Sequence, residues 1–490
     1  MSSPLLLILP GIALAGTALC AFLRTRAVLE TVTVAASGLT FTAALILAWS
    51  VTGGVSAGMP EGWLYADALS AYIASIVSGS ALVVSLYSTG YLRRQVRRGR
   101  VDGRQLWLYY LLLNAFLFTM ILVLLSNNLG ILWIGTEATT LATAFLVAFY
   151  ERERSIEAAW KYVIICSVGI ALALFGIILT YFSALRVVPP SGSALNITSL
   201  MLAAKDLDPG TLKLAFIFVL VGFGTKAGLA PMHTWKPDAY GEAPAPISAL
   251  MAAGLVNVAL YCLMRFYILV NRAVGGSFAP TLFIVFGLVS MGAAVPFIIA
   301  QRDFKRLLAY SSVEHAGIII FALGLGTPLA YFGALLHVLN NAAGKTLLFL
   351  TGANVRMAYD SKIMHKVTGA IKVIPVSATF LIAGVFAVTG WPPFGAFVSE
   401  FAILSAGFAR GDILASVLFA GFAAAAFGGF IYYASHMVFG TPHARVTGGD
   451  AAAPSLFLLG LLLAVLLLLG MYIPPPLLRS IESAAGGLKG

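Results

Sequence analysis

Gly224-Thr225-Lys226-Ala227-Gly228-Leu229-Ala230-Pro231 closes an apolar run over residues 212–230. A lysine inside such a run is costly: insertion scales put a charge at the bilayer centre at roughly 2.5 to 3.5 kcal/mol. The glycine and proline that follow break the helix, because proline lacks a backbone donor and clashes with the preceding turn. Backbone groups freed at membrane depth need protein or water partners. The stretch therefore reads as a broken membrane helix that carries a functional lysine.

The rest of the chain supports a membrane reading. Of 490 residues, 60% are hydrophobic and only 10% charged, with a mean hydropathy of +0.96. A soluble chain of this length needs more charge to cover its surface. The 49 glycines and 21 prolines suit closely packed or interrupted membrane helices. A spanning helix takes about 20 apolar residues. On that criterion about fourteen spans lie near 4–22, 31–51, 69–90, 106–125, 129–150, 160–185, 212–230, 246–271, 280–301, 307–326, 328–352, 372–408, 412–440 and 454–474. The first run has no basic residue before it and no convincing cleavage site, so it reads as a retained helix. No soluble domain is expected, and the longest polar segment is the loop near 186–211.

The formal net charge of +11 does not point to nucleic acid. The basic residues fall in short loops between spans, where they set orientation. With the N-terminus outside, inside loops take twenty of the thirty Lys and Arg, among them Arg93, Arg94, Arg97, Arg98, Arg100, Arg104, Lys236, Lys305 and Arg445. The outside takes eight, including Arg265, while Lys226 and Lys345 lie within spans. This predicts both termini outside a multi-pass inner-membrane protein. The Arg93–Arg104 cluster reads as a topology determinant touching lipid headgroups, or else as a docking surface. Cys20, Cys166 and Cys262 all fall in apolar runs without a C-x-x-C spacing. No metal, cluster, disulfide framework or other cofactor is indicated.

Ionisable residues inside spans are the candidate site. Glu137 sits mid-span in Trp133-Ile134-Gly135-Thr136-Glu137. Burial and a nearby cation push a carboxyl pKa in opposite directions, so such an acid can load and release a proton; the alternative is a structural ion pair. Lys226 can titrate with it as a coupled unit, or snorkel from a helix end. His337, Asn341 and Lys345 recur every four residues and draw a polar stripe of about 12 Å along one helix face. That stripe suits a water file or interhelical packing bonds. Glu400 follows Gly390-Trp391-Pro392-Pro393, a second break, and reads as an exit-side carrier or a carboxylate paired with a loop cation. Glu314 and His315 are adjacent, so at most one is expected to line a path. Asn257, with Tyr261 one turn on, can support water without storing a proton. Two broken spans in two halves point to a transport site and an internal repeat. The acid-to-site spacings agree: 89 residues from Glu137 to Lys226, and 86 from Glu314 to Glu400.

These residues carry a resemblance. Asn127-Asn128-Leu129 before Trp133-Ile134-Gly135-Thr136-Glu137, then Lys226-Ala227-Gly228-Leu229-Ala230-Pro231-Met232-His233-Thr234-Trp235, then Asp303-Phe304-Lys305-Arg306-Leu307-Leu308-Ala309-Tyr310-Ser311-Ser312 resemble the antiporter-like subunits of complex I, Mrp-type cation/proton antiporters and group 4 hydrogenases. The likeness runs over about 60–440. Within that family, Glu137-Ala138-Thr139-Thr140-Leu141-Ala142-Thr143 and Ser155-Ile156-Glu157-Ala158-Ala159-Trp160-Lys161-Tyr162 most resemble the F component of hydrogenase-4.

The resemblance implies an all-α membrane fold of about fourteen helices with two inverted five-helix repeats. Residues 1–105 would hold helices 1–3 and the Arg-rich loop, 106–271 and 280–440 the repeats, and 441–490 helix 14 and a tail. It implies a proton-translocating subunit of a redox-driven complex, with no redox centre of its own. Glu137 would be the gating acid and Lys226 the central lysine. Lys345, His337 and Glu400 would be sites of the second half. Asn257 and Asn341 stand where many members have titratable residues, which weakens the relay. Implied partners are other membrane subunits, peripheral nickel–iron hydrogenase-like and iron–sulfur subunits, lipid and protons, with sodium left open. An Mrp-type antiporter, a complex I-like oxidoreductase subunit and a structural subunit without conduction are the alternatives.

Overall fold

The computed structural model describes residues 4–58, 62–188, 194–442, 446 and 449–489. Arg445, assigned above to an inside loop, lies outside the described residues. The chain is almost entirely helical. Hydrophobic runs form helices because a bilayer forces every backbone donor and acceptor to pair within its own segment. The first spans are α1 Leu5–Phe22, α2 Arg26–Ser50, α3 Ala68–Arg97, α4 Gly103–Leu125, α5 Leu129–Val147 and α6 Glu153–Ala184. A short α7 Ile197–Leu202 precedes α8 Pro209–Ala227, α9 Trp235–Glu242, α10 Ala245–Leu250 and α11 Val256–Val274. The second half holds α12 Phe278–Ala300, α13 Phe304–Leu325, α14 Pro328–Tyr359, α15 Ala370–Val373, α16 Pro375–Val388 and α17 Gly395–Arg410. Then come α18 Ile413–Val438, α19 Ala453–Met471 and α20 Pro475–Leu488.

Among the described residues, twelve helical segments are long and apolar enough to cross a membrane, α10 and α11 counting as one. Two more of the expected spans are α14, diluted by its polar stripe, and the broken pair α16–α17. Both expected breaks are present. α8 stops at Ala227 and resumes as α9 at Trp235, while α16 stops at Val388 and resumes as α17 at Gly395. A third irregularity was not foreseen: a π-helical turn, Met251–Leu255, joins α10 to α11. Such turns widen a helix locally and recur at functional sites.

Side chains set the helix starts. Asn128 caps α5, its Oδ1 accepting from the amides of Gly130 and Ile131 at 2.9 and 3.3 Å. Asp303 caps α13 by accepting from Lys305 and Arg306 amides at 2.9 and 3.3 Å. Each satisfies donors that a helix N-terminus leaves free. The Asn127-Asn128 and Asp303 motifs are thus partly architectural.

Several basic residues assigned to loops are elsewhere. Arg93, Arg94 and Arg97 lie on the last turns of α3, because charged residues extend a helix past its apolar stretch without penalty once it meets headgroups and water. Arg93 pairs with buried Glu30 at 2.5 Å, and Arg100 with Asp360 at 2.8 Å. Lys305 is buried and donates to the carbonyls of Gly241 and Ala243. Lys236 is completely buried. Arg265 is buried on α11 in a bidentate pair with Asp67, at 2.6 and 2.7 Å, and its Nε donates to Tyr261 at 2.9 Å. The tail beyond α19 forms α20, which buries Ile481, Ala484 and Leu488 and packs on α3 and α14.

The Asp67–Arg265 pair ties α3 to α11 across 198 residues of sequence. Breaking a buried pair leaves an uncompensated charge and costs about 3 kcal/mol or more. Arg265→Met is expected to lower the thermal unfolding midpoint in detergent, and an unchanged midpoint contradicts this assignment.

Candidate proton path

The candidate path begins where α5, α6 and α8 meet. Gly222 of α8 lies so close to α6 that a Cβ there would sit 2.6 Å from the Gly169 carbonyl and from the Ala173 amide. Small residues allow this approach without a hydrophobic driving force. It brings the last turn of α8, with Lys226, against Tyr162 on α6. Lys226 is fully buried, and its Nζ donates to Thr140 Oγ1 at 2.6 Å and to Tyr162 OH at 2.9 Å. Glu137 accepts from Ser167 Oγ at 2.6 Å and from Thr140 Oγ1 at 3.4 Å. Acid and lysine are therefore not in direct contact; Thr140 bridges them. A hydroxyl both donates and accepts, so it can relay a proton that a salt bridge would trap. Tyr162 shares a further bond of 2.7 Å with Thr143.

Glu137 is only half-buried. Ile134 and Leu141, one turn to either side on the same face, are 57% and 58% exposed. The acid thus sits at the rim of this chain and not at its centre.

The second cluster gathers α13, α14 and α17. Glu314 and His315 are both buried, because α13 is enclosed on nearly every face. Adjacent residues point to different faces, but on an enclosed helix both are buried. His315 Nδ1 and His337 Nε2 share a bond of 2.8 Å, and His337 Nδ1 meets Ser399 Oγ at 2.9 Å. Lys345 is fully buried and donates to Ser311. Glu314 lies in the field of Lys345. Glu400, half-buried on α17, packs against Gly390 at the second break. His337, Asn341 and Lys345 do form an inward stripe on α14, all three buried.

The halves differ in one respect. Lys226 precedes its helix break, in the last turn of α8, whereas Glu400 follows its own break, on α17.

Nitrogens of His315 and His337 and an oxygen of Glu400 lie within 4.8 Å of one another. These are ligand types a metal ion accepts. The two imidazoles are, however, already bonded to each other, and the positive field of Lys345 at both histidines opposes a metal cation.

Asn257 is buried and donates to the Ala253 carbonyl at 2.7 Å. Its Oδ1, and both amide atoms of Asn341, have no partner among the described residues. Buried polar atoms of this kind are usually satisfied by internal water. Tyr261 belongs to a different set, donating to the Leu124 carbonyl at 2.9 Å and accepting from Arg265. The bridging hydroxyls Thr140, Tyr162, Ser167, Ser311 and Ser399 were missed from sequence. Isolated hydroxyls in apolar helices carry no local signal that separates a relay from a bond to the helix's own backbone.

Fold and site together define a polytopic membrane protein that holds titratable side chains in two clusters, the first bridged by a hydroxyl. The chain belongs to the NADH:quinone oxidoreductase/Mrp antiporter transmembrane family, whose model matches residues 126–427. It is 37% identical over 418 residues to a hydrogenase-4 component F homolog of Methylacidiphilum infernorum, covering 85% of this chain and 87% of that one. It is 34% identical over 349 residues to NADH-quinone oxidoreductase subunit N of Desulforudis audaxviator, covering 70% and 66%. Its fold matches a chain of the Mrp complex from Dietzia sp. DQ12-45-1b with a TM-score of 0.86 at 19% identity, covering 99% and 97%. It is accordingly an antiporter-like, proton-translocating membrane subunit of this family.

Proposed function

We propose that this chain translocates protons within a redox-driven membrane complex of the group 4 hydrogenase or formate hydrogenlyase type. The observation that carries the reading is the Glu137–Thr140–Lys226 bridge, in which an acid and a lysine share a hydroxyl instead of neutralising each other. Glu137 and Lys226 load the proton. The Glu314, His315, His337, Lys345 and Glu400 cluster carries it onward, with Asn257 and Asn341 holding water. Residues 106–271 and 280–440 act as the two repeats, in an inner membrane with both termini outside.

The half-buried position of Glu137 supports membership of a larger assembly. A carboxylate on an otherwise apolar rim is expensive against lipid, and a neighbouring membrane subunit would remove that cost. The likeness to a hydrogenase-4 component F homolog over most of both chains favours the hydrogenase type. Peripheral nickel–iron and iron–sulfur subunits would then supply the electron chemistry. The Mrp-type alternative rests on a fold match at 19% identity and on sequence relatives of which this chain covers less than half.

Purification from native membranes through a tag on this chain, followed by mass spectrometry, tests the assignment. Co-purified nickel–iron hydrogenase-like and iron–sulfur chains are the expected result. Small antiporter subunits without redox proteins would overturn it.

A further inference from the structure

Lys236 is a buried lysine that the path above does not use. It sits on α9, just past the first helix break, and is completely buried. Its Nζ donates to the Ala227 carbonyl at 2.8 Å and to the Ser312 carbonyl at 3.1 Å. Ala227 follows Lys226 directly. Ser312 follows Ser311, whose hydroxyl takes the Lys345 ammonium. A single nitrogen thus touches the backbone beside the carrier of each half. The space is prepared for it: Gly228 has φ +76°, and a Cβ there would lie 2.6 Å from Lys236 Cδ and 3.0 Å from its Nζ.

A purely structural role explains part of this. The break leaves the Ala227 carbonyl without a helical partner, and Lys236 satisfies it. Any long neutral donor could do the same without bringing an ammonium into the bundle, which is expensive when no counter-charge is bound. The hydrogen bonds of Lys236 are to carbonyls, and it forms no ion pair among the described residues. Lys236 also lies in the field of Lys345.

We propose that Lys236 is a proton-carrying residue that links the two halves of the path, between Lys226 and Lys345. The proposal rests on the proton-translocating reading above. The geometry suits both protonation states. As an ammonium, Lys236 has three N–H donors, of which two hold the carbonyls and one is free to leave. As a neutral amine, it keeps two N–H donors for the same carbonyls, and its lone pair takes the remaining direction. In the first transfer, the Lys236 lone pair takes a proton from the Lys226 ammonium through hydrogen-bonded water, leaving Lys226 as a neutral amine. In the second, the Lys236 ammonium returns to the amine by giving a proton to neutral Lys345. Neither step disturbs the backbone contacts that seal the break.

Three substitutions separate this role from a structural one. Lys236→Met keeps the length of the side chain without a titrating group. Lys236→Gln keeps an N–H donor for the carbonyls. Lys236→Arg keeps charge and donors, but a guanidinium does not release its proton. Each is placed in the full complex, purified through a tag on this chain and reconstituted in proteoliposomes. Proton uptake is read with a pH-sensitive dye during redox turnover, beside Lys226→Ala. All three are expected to lose uptake to the level of protein-free vesicles, with Gln and Arg retaining assembly and electron transfer. Wild-type uptake in the Gln or Arg variant, with Lys226→Ala inactive, would overturn the proposal and leave the proposed function standing. Wild-type uptake in Lys226→Ala would overturn both. If the Met variant does not assemble, the Gln and Arg variants decide.

Discussion

Lys226→Ala is expected to reduce proton uptake to that of protein-free vesicles while the complex still assembles. Lys226 donates to Thr140 and Tyr162, but neither hydroxyl is stranded by its removal. Thr140 still reaches Glu137, and Tyr162 still shares its bond with Thr143. Losing a buried lysine that has no direct carboxylate partner also removes a desolvation cost, so stability should hold or rise. What disappears is the basic group on the far side of Thr140. A proton on Glu137 then has no acceptor along the path. Size-exclusion profiles and dye-monitored uptake, taken on the same preparation, check both halves of the expectation. Full uptake in the variant would show that protons take another route.

The second large effect is expected from Lys345→Met. Lys345 provides the positive field felt by Glu314, His315 and His337. Methionine fills much of the same space and leaves Ser311 able to bond within its own helix. Without the ammonium, the cluster loses the buried basic group that Glu314 faces. The second cluster then holds a proton it cannot pass on. Electron transfer should continue while proton uptake per electron pair falls to background. Uptake equal to wild type would mean that the second cluster is structural, the reading favoured by the non-titrating Asn257 and Asn341.

Much of this architecture is written locally in the sequence. The spans follow from uninterrupted apolar runs, and the two breaks from Gly228-Leu229-Ala230-Pro231 and Gly390-Trp391-Pro392-Pro393. The stripe on α14 follows from the four-residue spacing of His337, Asn341 and Lys345. Each of these signals lies within one segment, where helical geometry converts spacing into a face.

What escaped depends on contacts between segments. Lys236 reads as a loop residue because it follows a proline break and a polar stretch. The packing of α9 against α6 and α13 encloses it. The bond between His315 and His337 joins two helices, as do those of Thr140 and Tyr162 to Lys226. The rim position of Glu137 depends on which side of α5 is left uncovered by α4 and α6. Helix ends were misjudged at α2, α3, α6 and α14 for a different reason: charged residues continue a helix into the headgroup region, where hydropathy gives no signal.

The central claim is that Glu137 passes protons to Lys226 through the Thr140 hydroxyl. Glu137→Gln preserves shape and can still accept the Ser167 hydrogen bond, but it cannot ionise. The decisive measurement is proton uptake per electron pair in proteoliposomes holding the native complex, with wild type and Glu137→Gln compared at equal electron-transfer rates. The account predicts uptake by the wild type and none above protein-free vesicles for the variant. Equal uptake by the two would contradict it.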